Sequence, residues 1–206
     1  MFSDECSAEQ GAGKSVEWCF GCPKDKWKPQ FVKTYKKGRD ISVMVWGCFW
    51  SGKEGGRSDL YIMDRDFESK KHGYSANSYL EVLEDQLPKC WMPGLIFVHD
   101  NAPIHTANAV KKWFEEMDIP FTDWPPYSPD LNPIENAWAL LKKKVLEMHP
   151  ELEHVTGKSE EDIQELERAL IEAWEALPDS LFENLVKSMP KRVKACYRAK
   201  GWHTKY

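Results

Sequence analysis

LIFVHDNAPIHTANAVKKWFEEMDIPFT, residues 95–122, is the stretch on which the fold turns. Leu95 to His99 is a short continuous apolar run after Pro93-Gly94, the pattern of a strand buried on both faces in the middle of a sheet. Ala107 to Met117 then places Val110, Trp113, Phe114 and Met117 on one side of a helix, and Pro120 to Thr122 returns to a strand. Strand, helix and strand in close succession argue for an α/β layer fold.

Working outward, Ser42-Val-Met-Val-Trp-Gly-Cys-Phe49 is a β-rich apolar run bounded by turn residues and reads as a second buried strand. Glu17 to Phe20 and Leu60 to Met63 are weaker strand candidates. Ser78 to Gln86 has helical spacing through Tyr79, Val82, Leu83 and Gln86, with Pro88 expected to close it. Beyond the turn-rich WPPYSPDLNP, a helix is expected from Pro133 to Leu146, with Asn132 as N-cap, Pro133 at N1 and Glu135 at N3. Ser159, with Asp162 three residues on, caps a helix to about Leu177. Leu181 to Lys187 and Pro190 to Ala199 give two short helices, the last ended by Gly201. The expected organisation is an α/β core over 1–146 and a C-terminal helical extension of the same domain over 147–206.

One domain fits 206 residues, and 42% hydrophobic with 13% aromatic content supplies a core, which excludes a disordered chain. No apolar run reaches the roughly 18 to 20 residues of a membrane span, and the polar start lacks a signal-peptide core. Six scattered cysteines without an export signal point to reduced thiols inside a cell. Cys19 and Cys22 form a C-x-x-C pair, but no second pair closes a zinc site around them. The net charge of −5 hides an asymmetry: residues 147–183 carry twelve acids and two bases, while 184–206 carry seven bases and no acid. That tail, with Lys191, Arg192, Lys194 and Arg198 at its centre, is suited to phosphate or to plain solvation, as is the cluster Lys33, Lys36, Lys37 and Arg39.

Three acids stand out by location: Asp4 in a short N-terminal apolar context, Asp100 at the end of the 95–99 strand, and Glu135 in the first turn of its helix. Carboxylates at strand ends and a helix start can converge over one sheet edge. An all-oxygen ligand set selects Mg²⁺ or Mn²⁺, and two such ions suit in-line phosphoryl displacement. Each acid also has a local reading: Glu135 as a capping-box residue, Asp100 as a loop-entry residue, Asp4 as a solvated terminal residue. The residues by themselves leave these alternatives open.

HDNAPIHTA at 99–107, WPPYSPDLNPIENAW at 124–138 and SVMVWGCF at 42–49 closely resemble the catalytic (DDE) domain of Tc/mariner-superfamily transposases. The 34 residues between Asp100 and Glu135 match the spacing typical of that superfamily, FSDEC at 2–6 resembles its first-strand motif, and MPKRVKACYRAKGWHTKY at 189–206 resembles its C-terminal end. The resemblance implies an α/β RNase H-like mixed sheet flanked by helices, and a metal-dependent DNA endonuclease and strand transferase. It also implies that Asp4, Asp100 and Glu135 hold two Mg²⁺ (or Mn²⁺) ions, with Asn101, His105 and Asn132 as supporting motif residues. By resemblance the partners are DNA, as transposon ends and a TA target, with room for a homodimer and no membrane; residence is nuclear in a eukaryotic host and otherwise intracellular.

Two departures bear on this. The family's upstream helix-turn-helix units are not represented, so specific recognition of DNA ends is not expected, and most of the first strand is expected to be missing. A non-catalytic remnant acting as a DNA-binding or protein-interaction module is the alternative. Three gathered anions would also repel, so Asp100→Asn is expected to leave the metal-free fold as stable or more so.

Overall fold

In the computed structural model, which describes residues 1–9, 41–52, 55–70, 72–126, 128–153, 159–202 and 204–206, β2 (Ser42–Trp50) organises the sheet. Its alternation sorts the core into two layers. Val43, Val45 and Phe49 point into one cluster and Trp46, Cys48 and Trp50 into the other, so the strand is covered on both faces. β1 (Phe2–Glu9) pairs antiparallel with β2 along its whole length, from Phe2 opposite Phe49 to Glu9 opposite Ser42. The expected loss of most of the first strand is therefore corrected: eight residues are present, all in register. On the other side of β2 lie β3 (Gly56–Arg57) and β4 (Tyr61–Ile62), both antiparallel to it.

The 95–99 run is central as expected, but it joins the sheet by single bridges and not as a regular strand. Val98 bridges Phe2 and Phe97 bridges Phe121, both in parallel. Val98 N–H donates to the Met1 carbonyl and the Val98 carbonyl accepts from Ser3 N–H at 3.0 Å, while Phe97 exchanges bonds with Pro120 and Thr122. The pairing order across the sheet is thus β3 and β4, β2, β1, residues 97–98, then residue 121.

Helices cover both faces. α1 (Ala76–Cys90) and α2 (Asn108–Glu116) pack Tyr79, Val82, Leu83, Leu87, Val110 and Phe114 on the Trp46 side. α3 (Ile134–Met148), α4 (Glu160–Glu175) and α5 (Asp179–Lys187) pack Trp138, Leu141, Leu170, Trp174 and Phe182 on the Val45 side. α6 (Met189–Arg198) follows, resting on a short 3-10 turn at Pro129–Leu131. The Ser159 capping box forms as expected, with Ser159 Oγ and Asp162 exchanging bonds with each other's backbone.

Pro88 does not close α1, which runs from the Ser75 cap through Pro88 to Cys90. The proline sits in the last turn on the exposed side, where the carbonyl of the exposed Glu84 that it leaves unbonded is within reach of water. The candidate strand at 17–20, the Cys19 and Cys22 pair and the basic cluster at 33–39 lie outside the described residues. Among those described, no helix is long and apolar enough to cross a membrane.

Gly47 fixes how closely one layer approaches. It lies opposite Asp4 in the ladder, and a Cβ there would meet Trp138 at 3.1 Å and Trp174 at 3.3 Å. The missing side chain lets Trp138 of α3 sit on the strand pair beside Asp4. Glu135 lies three residues before Trp138, so the same contact draws it toward Asp4.

Candidate active site

β1 sends consecutive acids to opposite faces of the sheet, as a strand must. Asp4 faces the α3 layer and Glu5 faces the α1 layer, where Tyr79 and His105 lie. Asp4, Asp100 and Glu135 line one cleft of about 480 Å³, walled by Asn101, Pro103, Trp124, Pro126, Ser128 and Asn132. The three acids come from a strand, a loop and a helix, and the fold brings all of them to the same cleft.

Asp4 is held at both oxygens. Glu5 N–H donates to Oδ1 at 2.9 Å and Asn132 Nδ2 donates to Oδ2 at 3.2 Å. Burial, and then repulsion from Glu5, push its pKa up to about 8, with Glu135 and Asp100 adding to the rise. Metal-free Asp4 is therefore largely protonated near neutral pH.

Glu135 is not a capping-box residue. Pro133 occupies the cap position, α3 starts at Ile134, and no side chain caps the helix. Asn132, expected as N-cap, makes only a 3.5 Å contact to Ile134 N–H with its oxygen and turns its amide toward Asp4. The Glu135 carboxylate is thereby left to the cleft. Burial raises its pKa and Asp100 adds to this, while Lys142 two turns along opposes it.

Asp100 is both a loop residue and a cleft residue. Its Oδ1 accepts from Ala102 N–H at 2.8 Å and from His105 Nδ1 at 2.7 Å. The His105 bond, assisted by the Ala102 bond, holds the Asp100 pKa below the usual carboxylate range. Asn101 donates to the Trp124 carbonyl and pins the far wall of the cleft, and Trp124 meets Phe2 edge-on at 6.1 Å.

His105 is buried at 2% exposure, and both its ring nitrogens face carboxylate oxygens, Asp100 Oδ1 at 2.7 Å and Glu5 Oε2 at 3.0 Å. Two acceptors require two N–H donors, so the ring is an imidazolium. Burial alone would lower its pKa, but Glu5 and Asp100 outweigh that and raise it to about 10. His99 stacks on it at 5.1 Å and 7° and stays neutral: burial and the His105 charge push its pKa down to about 4, and its Nδ1 meets Tyr79 Oη at 3.0 Å. Spacing alone gave no reason to link Glu5 to His105; the two lie 100 positions apart.

The basic tail divides. Lys191, Lys194 and Arg198 are exposed on α6. Arg192 does not lie with them: it is 3% exposed, and it donates to Ser188 Oγ at 2.8 Å, the Asp130 carbonyl at 3.0 Å and Asn136 Oδ1 at 2.5 Å. Its expected phosphate role is corrected to an internal one, since it ties α6 to the turn before Glu135.

Among the described residues, no three His, Cys, Asp or Glu side chains stand close enough to cage one ion. The donor set is all oxygen, and two of its three carboxylates have their pKa raised by burial and mutual repulsion, which a divalent cation would relieve.

A mixed sheet between helical layers, with three acids lining one cleft, is an α/β fold of the RNase H-like kind. Residues 57–156 match the family described as DDE superfamily endonuclease. The chain is 31% identical to the Tc1 transposase of Caenorhabditis elegans and 31% identical to the Tcb2 transposase of Caenorhabditis briggsae, in each case over all of this chain and 70% of the relative. It belongs to the Tc1/mariner transposase family and corresponds to the catalytic domain. The Mos1 strand transfer complex matches 98% of this chain with a TM-score of 0.61 at 21% identity, and the chain spans 55% of that Mos1 chain. A structure of the Mos1 catalytic domain with raltegravir and Mg matches 79% of this chain, and 78% of its own, with a TM-score of 0.53 at 22% identity. These likenesses establish the RNase H-like fold, including its C-terminal helices.

Proposed function

We propose that this domain cuts DNA phosphodiesters and joins the freed 3′ ends to a target, using divalent ions held by Asp4, Asp100 and Glu135. The observation that carries this reading is the convergence of the three carboxylates on one cleft from three separate elements. Family membership supports it, as do the Mos1 strand transfer complex and the structures of the Mos1 catalytic domain with Mg and with Mn.

When bound, two ions would activate the attacking water or 3′-hydroxyl and offset charge on the leaving 3′ oxygen. The protein's own residues set the stage for that. Asn132 and the Glu5 N–H fix the Asp4 carboxyl, which must give up its proton as it takes a cation. His105 and the Ala102 N–H both engage Asp100 Oδ1, so Oδ2 is the oxygen left to bind. Glu135, released from helix capping, completes the acid set. Lys191, Lys194 and Arg198 supply charge for DNA phosphates, which predicts sequence-indifferent, salt-sensitive binding.

The test is cleavage of labelled duplex in Mg²⁺ or Mn²⁺. Asp100→Ala and Glu135→Ala should each cost at least about a hundredfold, as loss of a principal transition-state stabiliser does. A triple-acid variant that nicks at the wild-type rate would sink the assignment. No metal-dependent cleavage by the wild type, together with retained DNA binding, would make the non-catalytic module the better reading.

A further inference from the structure

We infer that Glu5 is a positioning residue for the metal site, acting through His105 to set the orientation of Asp100 from the opposite face of the sheet. The inference rests on the reading that Asp100 binds a divalent ion. The path is continuous: Glu5 Oε2 lies 3.0 Å from His105 Nε2, and His105 Nδ1 lies 2.7 Å from Asp100 Oδ1.

The three members differ in how firmly they are held, and that gives the path its direction. Glu5 sits in the middle of β1, in register with Trp46, and its side chain is 13% exposed. The His105 side chain is 1% exposed, and its ring is packed between Tyr79 at 4.3 Å and His99 at 5.1 Å. Asp100 lies outside regular structure with its side chain 51% exposed, so its orientation rests on the two hydrogen bonds to Oδ1, from Ala102 N–H and from His105 Nδ1. The rigid end is the strand and the free end is the ligand. Glu5 stops the imidazole from turning about its ring bond, and the imidazole in turn occupies Asp100 Oδ1.

One strand therefore serves two ligands. Asp4 reaches the cleft directly, and its neighbour Glu5 reaches Asp100 through a buried ring on the far side of the sheet. Among the described residues the second oxygen of Glu5, Oε1, is buried without a hydrogen-bond partner.

The experiment is Mn²⁺ binding to the full chain, followed by the loss of the free Mn²⁺ electron paramagnetic resonance signal, with melting in EDTA recorded for each variant. Glu5→Ala should weaken Mn²⁺ at least about tenfold, the lower end of what loss of a partner behind a ligand costs. Glu5→Gln, whose amide oxygen still accepts from His105 Nε2, should stay within about threefold of wild type. His105→Asn keeps a donor toward Asp100 but cannot reach Glu5, and in that background Glu5→Ala should change affinity by less than about twofold. Should Glu5→Ala not fold, Glu5→Asp carries the same comparison, because its carboxylate falls one methylene short of the ring.

Wild-type affinity in Glu5→Ala or Glu5→Asp, or an undiminished loss in the His105→Asn background, would overturn the inference while leaving the metal reading intact. No Mn²⁺ binding by the wild type would instead overturn the metal reading itself, and this inference with it.

Discussion

Asp4→Asn should stabilise the metal-free fold at high pH and leave it unchanged at low pH. In the metal-free fold the Asp4 pKa is about 8 against an ordinary 3.8, so the native state holds a proton that the unfolded chain releases between those values. Stability then falls as pH rises through that window, and the full loss is in place above about pH 8. Four powers of ten in proton affinity, at about 1.4 kcal/mol each, set a ceiling near 6 kcal/mol. Water entering an open cleft reduces this by about half, to roughly 3 kcal/mol.

Asparagine removes the charge but cannot accept from both Glu5 N–H and Asn132 Nδ2, and one lost hydrogen bond costs about 1 kcal/mol. In EDTA at pH 8.5 the variant should gain about 2 kcal/mol, a Tm rise of about 4 to 8 °C at this chain length. At pH 5 the relief shrinks to under about 1 kcal/mol and the lost bond cancels it. Millimolar Mg²⁺ at pH 8.5 should close the gap by stabilising the wild type alone. Scanning calorimetry at the two pH values decides it. An equal shift at both, or none at pH 8.5, would show that the Asp4 charge is not the strained element. Asp100→Asn behaves oppositely, against the expectation from charge counting: its carboxylate is stabilised by His105, so the variant loses stability at neutral pH and the difference fades as pH falls.

Gly47→Ala should cost about 1 to 3 kcal/mol by driving a methyl into Trp138 and Trp174, read by urea denaturation. Arg192→Ala should lower stability by about 1 to 3 kcal/mol, because it leaves Asn136 and the Asp130 carbonyl short of a donor, yet leave the salt slope of DNA binding unchanged. Lys194→Ala should do the reverse, holding stability while reducing that slope by about 0.9. His105 should remain doubly protonated in ¹⁵N spectra through neutral pH and lose its proton only near pH 10. Because its folded pKa is raised, the stability it contributes is complete below its ordinary value of 6.5 and is lost as pH rises toward 10.

Much of the layering and most helices were legible in the chain. Alternation along 42–50 matches the side chains that face each cluster, Ser159 and Asp162 marked the start of α4, and the motifs that resemble the transposase family singled out Asp4, Asp100 and Glu135 as candidates. These are local signals, written within one turn or one pleat of the residues they govern. Tertiary contacts alone settle that Asn132 donates its amide to Asp4 while its oxygen lies 3.5 Å from Ile134 N–H, that Arg192 is interior while Lys191 and Lys194 are not, and that Glu5 meets His105. Each of these depends on a contact between residues 56 to 128 positions apart. A polar side chain takes the partner that burial offers, because a buried unpaired group costs more than any local preference returns. That partner is set by which layers the sheet brings together, which no spacing along the chain records.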